Sequence, residues 1–220
     1  MNGTEEAKKE QKGGANRSKT FVRTYQVALI GILSAIACVL MILEFPLTFI
    51  APDFYKFDFS DFPAIIGAFA LGPIPGVIIE GLKNLLKILV KGSGSGFIGE
   101  AANFTMGVFF VLPASLVYYF KKTKKRAVIG LVISTVVCVV AGSLLNAFIL
   151  LPAYSKYYGA PIEAFIAAGT KVHSIITDLP TFVLFAVAPF NLLKYSVISV
   201  LTILIYKSIS RVLKNPMERA

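Results

Sequence analysis

Asn191 and Lys194 stand three residues apart, one helical turn, in a stretch from Phe190 to Ile209 that is otherwise apolar. An amide and an ammonium at such a place are costly in lipid and mark a binding site by default. Asn146 breaks a second apolar run, and Glu80, Lys83 and Asn84 in a third fall at spacings of three and four, which puts them on one helix face. The chemistry these types offer is hydrogen bonding and charge recognition. Bond-making machinery is not evident: the single His173 sits in a polar connecting segment, and no nucleophile has a base spaced to serve it. Gly76 to Lys83 approaches a phosphate-binding loop, but Lys does not follow the second glycine and no Ser or Thr comes after it, so nucleotide hydrolysis in this chain is rejected.

Elements that could hold such groups must live in a membrane. With 56% hydrophobic residues, 15% charged and a mean hydropathy of +0.74, 220 residues cannot close a water-soluble surface. The uncharged runs Thr24–Leu43, Ala101–Phe120 and Ala127–Ser155 each reach the ~20 residues needed to cross the hydrocarbon core, and Phe190–Ile209 makes a fourth. The stretch from Phe62 to Lys91 is too long for one passage and is broken at Gly72-Pro73-Ile74-Pro75-Gly76. Read as a hairpin, it places the basic N-terminal segment, Lys121 to Arg126, and Arg211 with Lys214 on one side, as basic loops staying in the cytoplasm require. Much of the +10 net charge is thereby accounted for by topology, without nucleic acid.

The expectation is an all-α integral membrane protein of six transmembrane helices with both termini cytoplasmic, at about 21–44, 61–72, 74–91, 98–120, 126–152 and 189–211. The second is too short to span fully. Residues 1–20 read as a disordered cytoplasmic tail and 212–220 as a second cytoplasmic tail around a single six-helix domain, 21–211. Long outer segments follow helices one and five. The first, Glu44 to Asp61, is expected to dip into the protein, and the second, Ala153 to Ala188, to form an interfacial cover with a short helix capped by Asp178. The Gly92–Gly96 run reads as a flexible turn. Cys38 and Cys138 lie in apolar helices and read as core or lipid-facing residues, without the spacing of a metal site.

On this topology Asn146, Asn191 and Lys194 share the outer half of the membrane with Lys83, Asn84 and Lys87, and all can line one outward-facing pocket. Competing readings attach to several of them. Lys87, Lys91, Glu44 and Glu100 lie where snorkelling explains a charge, Glu80 with Lys83 suits a structural pair as well as a site, and Asn146 suits a bond between helices as well as a ligand contact. Lys194 needs an acceptor, none lies within a turn of it, and a carboxylate on another helix would serve.

Five ordered motifs then bear on family. Lys56-Phe57-Asp58-Phe59-Ser60-Asp61-Phe62-Pro63, Gly72-Pro73, Glu80-Gly81-Leu82-Lys83-Asn84-Leu85-Leu86, Gly99-Glu100-Ala101-Ala102-Asn103-Phe104 and Pro189-Phe190-Asn191-Leu192-Leu193-Lys194 together resemble the riboflavin-specific S component of energy-coupling factor (ECF) transporters, over about residues 25–210. The resemblance implies a substrate-capture subunit in the cell membrane of a prokaryote, working with a shared transmembrane T component and two cytoplasmic ATPases. It further implies riboflavin as the transported ligand, no catalytic cofactor, and flavin bonding by Asn146, Asn191 and Lys194. Whether flavin mononucleotide also binds stays open. Asp58, Asp61 and Glu80 are placed to accept from the ribityl hydroxyls. The family's small-residue docking pattern on helix one is kept here as Gly31 and Ala35, with glycine in place of the first alanine. An S component for another vitamin, and a proton-coupled secondary transporter titrating Glu80 or Glu100, are the alternatives.

Overall fold

In a computed structural model, described for residues 3–218 along the backbone and 22–206 in their side chains, helices account for nearly all regular structure. The tails expected at 1–20 and 212–220 lie outside the residues whose side chains are described. In chain order the helices are α1 (Gly3–Ile42), α2 (Asp61–Leu71), α3 (Pro73–Lys91), α4 (Ile98–Tyr119), α5 (Lys124–Leu145), α6 (Leu151–Tyr158), α7 (Ile162–Val172), α8 (Leu179–Phe182) and α9 (Ala188–Glu218). Five-residue π turns, Asn146–Leu150 and Val183–Val187, join α5 to α6 and α8 to α9 without a break.

Among the described residues four stretches are long and apolar enough to cross a membrane: Val22–Ile42, Ile98–Tyr119, Lys124–Tyr158 and Leu179–Tyr206. The hairpin reading of residues 62–91 holds. Gly72, at φ 113°, ends α2 in a backbone region open almost only to glycine, and Pro73 starts α3 at a position where no amide hydrogen is needed. The second outer segment departs from expectation. It is largely helical, and Asp178 caps the start of the final rod instead of a separate short helix. Its Oδ1 accepts from Thr181 N at 2.9 Å, Thr181 Oγ1 accepts from Asp178 N at 3.0 Å, and the helix runs on through the π turn into α9. The ten apolar residues after Asp178, too few to cross alone, are one end of a longer helix.

The 44–60 connection carries the only departure from all-helical structure among the described residues, an antiparallel pair of two-residue strands, β1 (Phe45–Pro46) and β2 (Lys56–Phe57). The Gly92–Gly96 turn, expected to be flexible, is instead strapped down. Ser93 Oγ donates to Glu100 Oε2 at 2.7 Å and accepts from Phe97 N at 2.8 Å, while Tyr158 Oη donates to Gly94 O at 3.0 Å.

Apolar side chains fall into two clusters. One fills the helix bundle, with Ala64, Ile65, Ile79, Phe110, Val111, Leu131, Cys138, Tyr195 and Ile198 at its centre. The other forms a cap at one end of the bundle, in which Ala51 and Phe57 of the 44–60 connection meet Leu151, Ile176, Phe182, Val187 and Phe190.

The Asp178 cap gives a pH test. Bonds from Thr181 hold its carboxyl below the usual range, so its contribution is present above about pH 4 and lost as the pH falls through the lowered value. Asp178→Ala is expected to lower the melting temperature in detergent at pH 7, with the gap to the parent protein closing in acid; a gap that persists in acid would refute the cap's role.

Candidate functional site

The two clusters do not merge; polar side chains fill the seam. Along α9, Phe190 belongs to the cap and Tyr195 to the bundle core, with Asn191 and Lys194 between. Along the chain entering α2, Phe57 belongs to the cap and Ala64 to the bundle, with Asp58, Ser60 and Asp61 between. Asn146 opens the π turn between Leu145 and Leu151 in the same way.

In the seam, ionisable groups that lipid would not tolerate singly are paired with one another. Lys194 Nζ donates to Asp58 Oδ2 at 2.8 Å and lies 3.4 Å from Asp61 Oδ2. Lys83 Nζ pairs with Asp61 Oδ1 in a very short contact, lies 2.6 Å from Glu80 Oε2 and donates to Ser60 Oγ at 2.9 Å. Three carboxyl groups and two ammonium groups thus form one connected cluster, with Lys83 and Glu80 fully buried. Lys194 finds the carboxylates its own helix lacks on the segment that leads into α2. Gly107 of α4 makes the space for Glu80, since a Cβ there would run into the carboxylate.

The two asparagines meet beside Gly142. Asn146 Nδ2 donates to Gly142 O at 2.8 Å, and a Cβ on Gly142 would sit 2.7 Å from Asn191 Nδ2. Asn191 Nδ2 donates to Val187 O at 3.1 Å. Asn146 Oδ1 accepts from Tyr55 Oη at 2.6 Å, and burial pushes the Tyr55 phenol well above its ordinary range, so it stays a donor. Among the described residues Glu80 Oε1, Asn84 Oδ1 and Ser134 Oγ are buried without a partner, while Asp61 Oδ2 and Glu80 Oε2 face only their lysines. Asn84 Nδ2 is taken by Glu80 O at 2.8 Å, so its link to Glu80 runs through the backbone and not through the carboxylate expected from their spacing.

Asn146, Asn191, Lys194, Lys83, Asn84, Glu80, Asp58 and Asp61 therefore all line the seam or the cluster beneath it. Lys87 does not join the cluster: it pairs closely with Glu100, which is buried and also holds Ser93. Snorkelling does not describe that pair, whereas Glu44 with Lys56 and Lys91 forms an exposed surface network. Gly31 and Ala35 are exposed on the outer face of α1, with nothing within 4 Å of where a Gly31 Cβ would be. They do not pack within the subunit. Sequence reasoning missed Tyr55 and both π turns; the aromatic crowding of Phe54, Tyr55, Phe57 and Phe59 was the one visible hint of the former.

Residues 25–206 match the family model for the substrate-specific component of ECF transporters. The chain belongs to this family. This S component is 36% identical over 186 residues to the riboflavin transporter RibU of Staphylococcus aureus, covering 84% of this chain and 90% of that one. It is 34% identical to the riboflavin transporter FmnP of Bacillus subtilis, covering 84% and 92%. A solved structure described as the S component of a bacterial ECF transporter superposes with a TM-score of 0.69 at 34% identity, over 87% of this chain and 99% of the other. The S component is a transport subunit, not an enzyme.

Breaking a buried ion cluster leaves uncompensated charge, at ~3–5 kcal/mol. Lys83→Met is expected to cost that much in thermal unfolding in detergent, whereas Lys91→Gln, on the exposed Glu44 network, is expected to cost below ~1 kcal/mol. Equal effects would mean that the cluster is not a structural node.

Proposed function

We propose that this S component captures riboflavin from outside, in the seam between bundle and cap, and delivers it inward when coupled to a T component and two ATPases. The observation that carries the reading is the meeting of Asn146 and Asn191 at Gly142 with Lys194 one turn further along α9. The relatives' names supply the ligand, and the chemistry agrees. The pyrimidine edge of a flavin alternates acceptors and a donor, which asparagine amides can match, and an ammonium favours its carbonyl and ring-nitrogen atoms. Phe57, Phe182 and Phe190 offer apolar walls for the dimethylbenzene end. A polyol chain brings donors, and Glu80 Oε1 and Asn84 Oδ1 are acceptors in want of them.

In this reading α1, α2, α3, α4, the α5–α6 rod and the α8–α9 rod make six passages in the plasma membrane with both ends cytoplasmic. The positive loop Lys121–Arg126 then lies inside. The 44–60 connection lies over the site from outside and closes on the ligand. Gly31 and Ala35 present a small-residue face on which a T-component helix can pack closely. ATP hydrolysis in the partner subunits drives reorientation and release.

Riboflavin titration of detergent-purified protein, followed by quenching of flavin fluorescence, tests the site. Asn146→Ala and Asn191→Ala are each expected to weaken binding about 5- to 150-fold, the equivalent of ~1–3 kcal/mol for a buried polar group left unpaired. Unchanged affinity in both folded variants would sink the assignment. Gly31→Leu is expected to leave riboflavin affinity unaltered while reducing co-purification with the T component; intact assembly would remove the docking role.

A further inference from the structure

Beyond binding itself, we propose that Tyr55 couples the position of the 44–60 connection to the Asn146 amide, so that closure of the connection takes up one lone pair of Oδ1 and steadies the orientation that Gly142 O selects. The consequence for ligand rests on the riboflavin reading above; the coupling does not.

The logic begins with the amide. Turning an asparagine side chain over exchanges a donor for an acceptor, so a site that reads a ligand edge with Asn146 must hold it one way round. Gly142 O can only accept, which assigns Nδ2 to that side at 2.8 Å and turns Oδ1 away from it. Tyr55 Oη then meets an acceptor at 2.6 Å and must donate. With both restraints in place Asn146 keeps one N–H and one oxygen lone pair for a ligand, in a fixed arrangement.

Tyr55 is itself held by the cap and not by the bundle. Its ring lies 5.5 Å from Phe190, 6.2 Å from Phe182 and 4.9 Å from Phe54. Phe54 in turn stands edge-on to Phe165 of α7 at 5.7 Å. The connection reaches the other side of the seam through Asp58, whose partner is Lys194. One connection therefore touches two of the three residues assigned to the ligand, and it does so by side chains of opposite role: Tyr55 donates to an amide, Asp58 accepts from an ammonium. Lifting the connection removes Tyr55, and Asn146 keeps only its bond to Gly142. A structural role alone would place the ring and leave the hydroxyl without consequence. Tyr55→Phe separates the two, because it keeps the aromatic contacts and deletes the donor.

Hydrogen exchange of the riboflavin-free full chain in detergent is the first readout. Ile50 N and Tyr55 N are held within the connection by Leu47 O and Pro52 O, each at 2.9 Å, and report its opening. Tyr55→Phe and Asn146→Ala are each expected to speed their exchange about five-fold, the worth of one net hydrogen bond, and the double variant no more than either single. The second readout is the rate of riboflavin dissociation, expected to rise about five-fold in Tyr55→Phe and to show no further rise when that change is made in Asn146→Ala. Parent-like exchange in Tyr55→Phe, or multiplied effects in the double variant, would overturn the coupling. Coupled exchange in a protein that fails to bind riboflavin would leave the coupling standing and overturn the ligand instead.

Discussion

Five ionisable groups buried in one place are the constraint from which the arrangement of this protein follows. Lys83 and Lys194 cannot stay ionised in a membrane without carboxylates, nor Asp58 and Asp61 without the lysines, and Glu80 is held against Lys83. The pairs join α3, α9, the start of α2 and the end of the 44–60 connection, so none of these can shift without exposing a charge. α2 is only Asp61–Leu71 because its first residue is fixed at the depth of Lys83 and Lys194. The connection must accordingly descend from Ile42 to meet it, and this brings Tyr55 and Asp58 to the seam.

Location of the proposed site follows from packing of a different kind. Two apolar clusters that fail to merge leave a layer in which polar groups can stand without disrupting either one. The helices crossing this layer are those that carry π turns, at Asn146–Leu150 and Val183–Val187, and each turn lies next to one of the two asparagines. Single π turns inside α-helices gather at functional sites, where they redirect side chains that an unbroken helix would point elsewhere. Gly142 completes the geometry by letting Asn191 approach α5.

Much of this was legible in the sequence, for reasons that also explain the rest. Apolar run length and the Gly72-Pro73 break exposed the long helices and the hairpin, and polar residues at membrane depth exposed Asn146, Asn191 and Lys194. Glu80 with Lys83 was readable because three residues of helix bring them together. The partners of Lys194 and Asn146 were not, since Asp58 is 136 positions away from the first and Tyr55 is 91 from the second, and no local pattern encodes such a meeting. Asp178 was recognised as a cap, but the rod it starts was cut short, because Val183–Val187 carries no sign in its residue types that the helix continues through a wider turn.

Those wider turns have a further consequence. A π turn amounts to one residue inserted into an α-helix, and one residue is worth about 100° of rotation about the axis. The cap-side portions of the last two rods are therefore indexed against their bundle-side portions by a single step each. Gaining or losing such a step would turn the cap's wall past the bundle while leaving the buried charges below untouched, so a lineage could retool the pocket's facing surface without rebuilding the subunit that carries it.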